Sequence, residues 1–360
     1  MIKLIKNLEE FNNIRECWDL LYNTDGNCTP FQSFDYNYIS WKRFGGHDQS
    51  LFVIVYTFKQ EKSPCAIFPC CIDSHHCLRF INEDHSDFQT ALMTESAKTN
   101  LDMYEEIYDF IKRQSDISRI CLNHLRHDDL LLHYFKHLSV YARLYGTESY
   151  SYLPIASNQT DNGFIDSLHH LTAKERNRLK NIEKKADGLS FKIISAADSV
   201  YPEQEVLGLV HKMIQSGIRS DAYFTDELLG FIKDLYMAGV LKIGMIYKGE
   251  ELGSASFFYQ DEKGLSIQWI IVYSDKIYNL QAKLKILKSV YESGGGIFNL
   301  GRGTYKYKIQ HFKPVIQNLF CVDIPFRRKA RMMLMGQSLN ELGGKIMYNI
   351  KKRLKLSDKK

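Results

Sequence analysis

The chain has 360 residues, 44% hydrophobic and 25% charged, with a formal net charge of +5 at pH 7. This is globular rather than disordered composition, long enough for two ordinary domains with real cores, and no apolar run reaches the roughly 18 residues of a membrane span. The charge is uneven: Phe326 to Lys360 carries a balance of +9, leaving −4 on the body, which argues against a surface built for nucleic acid.

The start, MIKLIKNLEEF, meets acidic residues early and reads as no secretory signal. Eight cysteines at irregular spacings read as reduced thiols of a cytosolic protein. Leu8, Phe11, Ile14, Trp18 and Leu21 recur at helical spacing, which predicts an amphipathic first helix ending near Gly26. Pro30-Phe31-Gln32-Ser33 follows, then Tyr38, Trp41 and Phe44-Gly45, read as a second core helix with aromatic anchors. Leu51–Phe58 and Ala66–Ile72 are strand-like around a polar turn. In Ser86-Asp87-Phe88, Asp87 is either a cleft acid or a loop cap for a nearby helix. Cys70, Cys71, His75, His76 and Cys77 fit no zinc spacing, because adjacent strand residues point to opposite faces, so no metal is expected.

Leu101–Ile111 reads as a helix, Ser118–Asn123 as a strand and Asp128–Leu138 as a helix. His124 and His127, in the connection, read as solvent-facing. Tyr152-Leu153-Pro154 is taken to open a turn-rich linker through Asn158–Gly163. Thr172-Ala-Lys-Glu175 has the form of a capping box. In the helix it starts, Leu179, Ile182 and Ala186 make the apolar face, and Arg176, Lys180 and Lys184 a basic row that either attracts a phosphate-bearing substrate or is simply solvated. Phe191–Ile194 reads as a strand, and Val206–Ile214 and Glu227–Ala238 as helices. Tyr223, in the polar segment between them, is a candidate substrate contact or a buried aromatic.

From Leu241 the pattern is clearer. Leu241–Tyr247, Leu252–Gln260 and Leu265–Val272 are hairpin-connected strands. The period then changes from two to 3.6: Leu280, Leu284, Leu287 and Tyr291 share a helix face that ends at Gly294-Gly295-Gly296, and the short strand Ile297–Leu300 follows.

This order, with Ile297-Phe298-Asn299-Leu300-Gly301-Arg302-Gly303 and Tyr305-Lys306 closing it, resembles the acyl-CoA-binding half of the GNAT fold. The closing motif is similar to the "F-D-x-x-R-G…Y-K" ending of the CelD-like acyltransferases of cellulose and exopolysaccharide biosynthesis, relatives of the FemAB transferases. The P-F-Q-S, S-D-F and basic-helix segments resemble further stretches of that family. The resemblance implies an α/β (α+β) fold of tandem GNAT-like domains, each a mixed, largely antiparallel sheet flanked by helices. Residues 1–155 would be a degenerate N-terminal GNAT-like domain, 156–325 the acyl-CoA-binding domain and 326–360 a basic amphipathic tail.

It also implies an acyltransferase moving an acyl group, acetyl first, from acyl-CoA to an amine or hydroxyl of a sugar or polysaccharide precursor. Arg302, Tyr305 and Lys306 would be catalytic. Ile270, Val272, Tyr278, Asn279, Leu280 and Lys283 would bind the CoA arm and pyrophosphate, although Tyr278-Asn279-Leu280 stands where relatives have a Gly-rich turn. Arg176, Lys180, Tyr223 and Asn299 would meet the acceptor, and Asn299 replaces the family's Asp. A FemAB-like transfer from aminoacyl-tRNA and a non-catalytic scaffold in envelope polysaccharide synthesis are the alternatives. No nucleic-acid partner is expected. In the tail, Leu339, Leu342, Ile346, Ile350 and Leu354 with Lys345, Lys352, Arg353 and Lys355 form a basic amphipathic helix, compatible with a cytoplasmic protein touching an anionic membrane.

Overall fold

The computed structural model describes residues 1–46, 48–156, 163–186, 188–261, 264–332 and 334, so the basic helix expected over 339–354 lies outside the described residues. The chain opens with β1 (Ile2–Ile5) and the helices α1 (Leu8–Asn12), α2 (Arg15–Thr24) and α3 (Phe34–Phe44). Short strands follow: β2 (Ser50–Leu51), β3 (Val53–Tyr56), β4 (Ala66–Phe68), β5 (Cys70–Ile72), β6 (Cys77–Phe80) and β7 (Leu92–Met93). Next come α4 (Glu95–Lys98), α5 (Leu101–Arg113), β8 (Arg119–Arg126), α6 (Leu130–Phe135) and the long β9 (Arg143–Ile155). The second half runs α7 (Ala173–Lys184), β10 (Leu189–Ile194), α8 (Glu203–Gln215) and α9 (Asp226–Met237). It continues β11 (Lys242–Lys248), β12 (Glu251–Gln260), β13 (Leu265–Tyr273), α10 (Lys276–Glu292), β14 (Gly296–Arg302), α11 (Lys306–Phe312) and β15 (Val315–Pro325).

The expected mixed α/β architecture is present. A four-stranded sheet, β1-β3-β4-β7, lies beside an eleven-stranded one ordered β10-β11-β12-β13-β14-β9-β15-β8-β6-β5-β2. The pairs are antiparallel except β13 with β14 and β6 with β8. Helices cover the sheets through apolar stripes. Met103, Tyr104, Ile107, Tyr108 and Ile111 bury one face of α5, whose N-terminus is capped by Asn100. The capping box before α7 forms as read, Thr172 and Glu175 each accepting the other's backbone N–H. The aromatic anchors of α3 reach across the halves: Phe44 lies 5.0 Å from Phe231 of α9. Cys70 and Cys71 bury into different cores on opposite faces of β5. Among the described residues no group of three or more His, Cys, Asp or Glu is placed to hold a metal, and no helix is long and apolar enough to cross a membrane.

Of the strands unread in the sequence, which include β1 and β7, two shape the site. The segment taken to open a linker at Tyr152 is the end of β9, which pairs with β14 through Ile297↔Pro154 and Asn299↔Tyr152. Pro154 is tolerated because β15, on the other side, pairs no further along β9 than Tyr152, so no ladder bond there asks for an N–H. β15 then inserts between β9 and β8, carrying the end of the second half between two strands of the first. That insertion positions the site.

Candidate functional site

β13 and β14 pair only over Leu265↔Ile297, Ser266↔Phe298 and Ile267↔Asn299, and then part. β13 also bulges here. Ser256 pairs with Ile271 and Phe258 with Gln268, so Trp269 and Ile270 together face Phe257. The splay opens a cavity of about 510 Å³, walled by β13, β14, the start of α10, the loop before α9 and the Asp84–Asp87 loop.

Three segments singled out in the sequence converge on it. Gln32 of Pro30-Phe31-Gln32-Ser33 donates to the Phe88 carbonyl at 2.9 Å, and the Tyr36 hydroxyl meets Ser86 Oγ at 2.9 Å, which fixes the Ser86-Asp87-Phe88 loop. Asp87 is therefore a cavity acid; it caps no helix. It lies against Leu300-Gly301-Arg302, where Gly301 has φ +76° and an added Cβ would stand 2.7 Å from both Asp87 Oδ2 and the Gln268 carbonyl oxygen. Only glycine fits that backbone and that approach.

Arg302 is held through all three of its guanidinium nitrogens. Its Nη1 meets His124 Nε2, its Nη2 donates to the Asp84 carbonyl at 2.8 Å, and its Nε lies 3.7 Å from Asp87 and 3.4 Å from Glu148. Burial raises the Asp87 pKa, and Arg302 and Lys308 oppose the rise. His124, expected in solvent, is half-buried against Arg302; burial and that guanidinium press its pKa down to about 3, so it is neutral. His127 is exposed, as read.

Lys308 is the lysine among the described residues that line the cavity, beside Arg219 and Arg302. It is buried, donates to the Gly301 carbonyl at 3.3 Å and the Arg302 carbonyl at 2.8 Å, and lies 5.3 Å from the Tyr305 ring centre. Burial lowers its pKa to about 8, with Asp87 pulling the other way. Lys306 is exposed and does not line the cavity. The reason is α11: a helix starting at Lys306 puts positions 305 and 308 on one face and 306 on another. The helical run after Tyr305 was the signal that could have found Lys308.

The other expected site residues divide. Ile270, Asn279 and Tyr223 line the cavity with Arg302 and Tyr305, and burial raises the Tyr223 pKa. Val272 is instead core, and Leu280 packs against the cluster under α10. Tyr278 lies on Gly253, and Lys283 is buried with its pKa driven well down by desolvation. These three α10 residues miss the cavity because the helix starts at Lys276, earlier than read, so the cavity receives Asn279 alone from its first turns. Asp275 caps α10, its side chain accepting from Ile277 N–H and its carbonyl from Tyr278 and Asn279. Arg176 donates to the Leu171 carbonyl and Lys180 pairs with Asp166 at 2.8 Å; neither lines the cavity. Asn299 Oδ1 accepts from Gly301 N–H at 2.8 Å and the residue lines a second cavity. Sequence reasoning missed Asp84, Glu148 and Gln268, whose Oε1, like Oδ1 of Asn279, is buried without a hydrogen-bond partner.

No family model matches the chain, and no curated protein matches it. Solved structures do. FemX superposes with a TM-score of 0.57 at 11% identity, covering 89% of this chain and 96% of that one. L-PGS from Bacillus licheniformis gives 0.51 at 13% identity, covering 81% and 91%. A tandem GNAT protein from the clavulanic acid biosynthesis pathway gives 0.51 at 8%, covering 91% and 99%. At such identities the likeness is one of fold, and the fold is that of the GNAT superfamily in tandem form.

Proposed function

We propose that the protein is an acyltransferase of the CelD-like kind, carrying an acyl group from acyl-CoA to an amine or hydroxyl of a sugar or polysaccharide precursor. The observation that carries this reading is the pair of buried, partnerless amide oxygens, Gln268 Oε1 and Asn279 Oδ1, in the wall of the splay. Buried acceptors without donors call for a ligand that brings N–H groups. A pantetheine arm has amide N–H groups, and the unpaired edge of β13 offers further main-chain partners.

In that reading the acceptor nitrogen or oxygen attacks the acyl carbonyl carbon. The carbon–sulfur bond breaks, and the proton that the nucleophile loses passes by way of Asp87 to the leaving sulfur. The chain's own contribution is positioning and charge. Lys308 polarises the carbonyl oxygen, Asp87 receives the nucleophile's proton, and Tyr305, which lines the cavity beside Lys308, offers its hydroxyl to the leaving group. Arg302 holds Asp87 and Glu148 in place through its Nε.

A second reading has its own support. The Asp275 carboxylate sits at the α10 N-terminus, where a pyrophosphate would want free N–H groups, and Asp84, Asp87 and Glu148 offer an ammonium group its counter-charge. Both features suit a FemAB-like aminoacyl ester donor. Titration calorimetry with acetyl-CoA and a longer acyl-CoA, on wild type, Gln268→Leu and Lys308→Met, separates the readings. Binding weakened about tenfold in Gln268→Leu supports CoA, a loss of ~1.4 kcal/mol. No binding of either CoA ends that donor; transfer from aminoacyl-tRNA then establishes the second reading, and failure of both leaves the scaffold.

A further inference from the structure

A second cavity of about 520 Å³ lies beside the first. The two share walls: Asp87 faces the splay while Phe88 faces the second cavity, and along β14 Gly301 lines one and Asn299 the other. Its floor is one face of the sheet. Tyr150 and Tyr152 of β9 lie side by side, ring centres 6.1 Å apart and planes 26° apart, and Phe88 stands edge-on to Tyr150 at 4.9 Å. In register with Tyr152 and Tyr150 on β15 are Val315, which is 44% exposed, and Gln317; Ile297 of β14, 45% exposed, completes an apolar rim.

The charges around it are already committed. Asp128 pairs with Arg126 at 3.6 Å, Arg126 also donates to the Asn27 carbonyl at 3.1 Å, and Asp261 accepts from Leu265 N–H at 2.8 Å. The polar groups left at the floor are neutral. The Tyr150 hydroxyl donates to Gln317 Oε1, which leaves the Gln317 amide nitrogen to donate, and Asn299 uses its oxygen on Gly301. Among the described residues an anionic ligand finds only the exposed His127 and an Arg126 already held by Asp128 and the Asn27 carbonyl, and a purely apolar one wastes two amides. A flat aromatic floor bordered by neutral amides fits a ligand with a C–H face and hydroxyl edges.

We propose that this cavity binds a neutral sugar unit of the acceptor, seated on Tyr150 and Tyr152 and held at its edges by Asn299 and Gln317. The sugar then reaches the splay past the Phe88–Asn299 wall. The proposal rests on the acceptor being a glycan, as above, but its binding is scored without any transfer.

The test is titration calorimetry with cellotriose and with tri-N-acetylchitotriose on the full chain, beside acetyl-CoA in the same samples. At least one sugar binds wild type. Tyr152→Ala weakens it about tenfold, Tyr152→Phe leaves it within about twofold, Gln317→Leu weakens it, and Lys308→Met does not change it. Melting temperatures show that each variant is folded; should Tyr152→Ala fail, Gln317→Leu carries the test. Neither sugar binding, binding indifferent to both Tyr152→Ala and Gln317→Leu, or binding lost in Lys308→Met each overturns the site. Sugar failing while acetyl-CoA binds sinks this inference alone; acetyl-CoA failing while sugar binds at Tyr152 sinks the donor reading alone.

Discussion

Arg302 Nε stands 3.7 Å from Asp87 Oδ1 across the mouth of the splay, one residue from each half of the chain. Asp87 is nearly fully buried, so its charge depends on that guanidinium. We expect Arg302→Met to cost about 3 kcal/mol in urea unfolding, the usual penalty for orphaning a buried partner. The double variant Arg302→Met/Asp87→Asn should recover about 1–2 kcal/mol of it through coupling. Strict additivity would mean that the contact carries no energy.

Gly301→Ala should be more damaging than an ordinary left-handed glycine substitution. The new methyl meets Asp87 Oδ2 and the Gln268 carbonyl at 2.7 Å on a backbone with φ +76°. Gly249, with φ +61° and open space around it, is the control. A loss of about 1 kcal/mol at Gly249 and at least about 2 at Gly301 is expected from backbone strain with and without a clash. Equal losses would show that the loop simply moves aside.

Lys308 makes the pH prediction. Its folded pKa of about 8 lies below the ordinary 10.5. Between those values the unfolded chain holds the proton that the folded chain has released, so stability rises with pH across that window. Against Lys308→Met, wild type should gain on the order of 3 kcal/mol from pH 8 to 10.5, read from chemical melts at each pH. In transfer assays Lys308→Met should lose activity at least about tenfold, while Lys306→Ala, being exposed, stays within about twofold. The reverse pattern would restore Lys306 to the centre.

Asp275→Ser keeps a side chain that caps α10 and removes a negative charge from its N-terminus. Under the CoA reading it should tighten acetyl-CoA binding, by a few-fold for ~1 kcal/mol. Unchanged affinity would place the pyrophosphate away from this helix end.

Local order was legible to a good depth. The hairpins of β11–β13, the capping box before α7 and the apolar face of α10 all follow from period, turn residues and caps, which act within a few positions. The face of α11 lay within reach too, since the helical offset from Tyr305 selects Lys308. β9 was harder: its alternating residues carry a proline, and only the short reach of β15 along it makes that proline harmless.

By itself the sequence determined most helices, the β11–β13 hairpins, the GNAT-like order of the second half and the glycine at position 301. The tertiary structure decided the site. Pairing β14 with β9 in the register Arg302↔Tyr150 brought Glu148 to Arg302, the guanidinium reaches on to His124 of β8, and the Gln32 and Tyr36 contacts turned Asp87 inward. Pairings between distant strands are chosen by the burial of whole faces, so no local pattern announces which residues will meet.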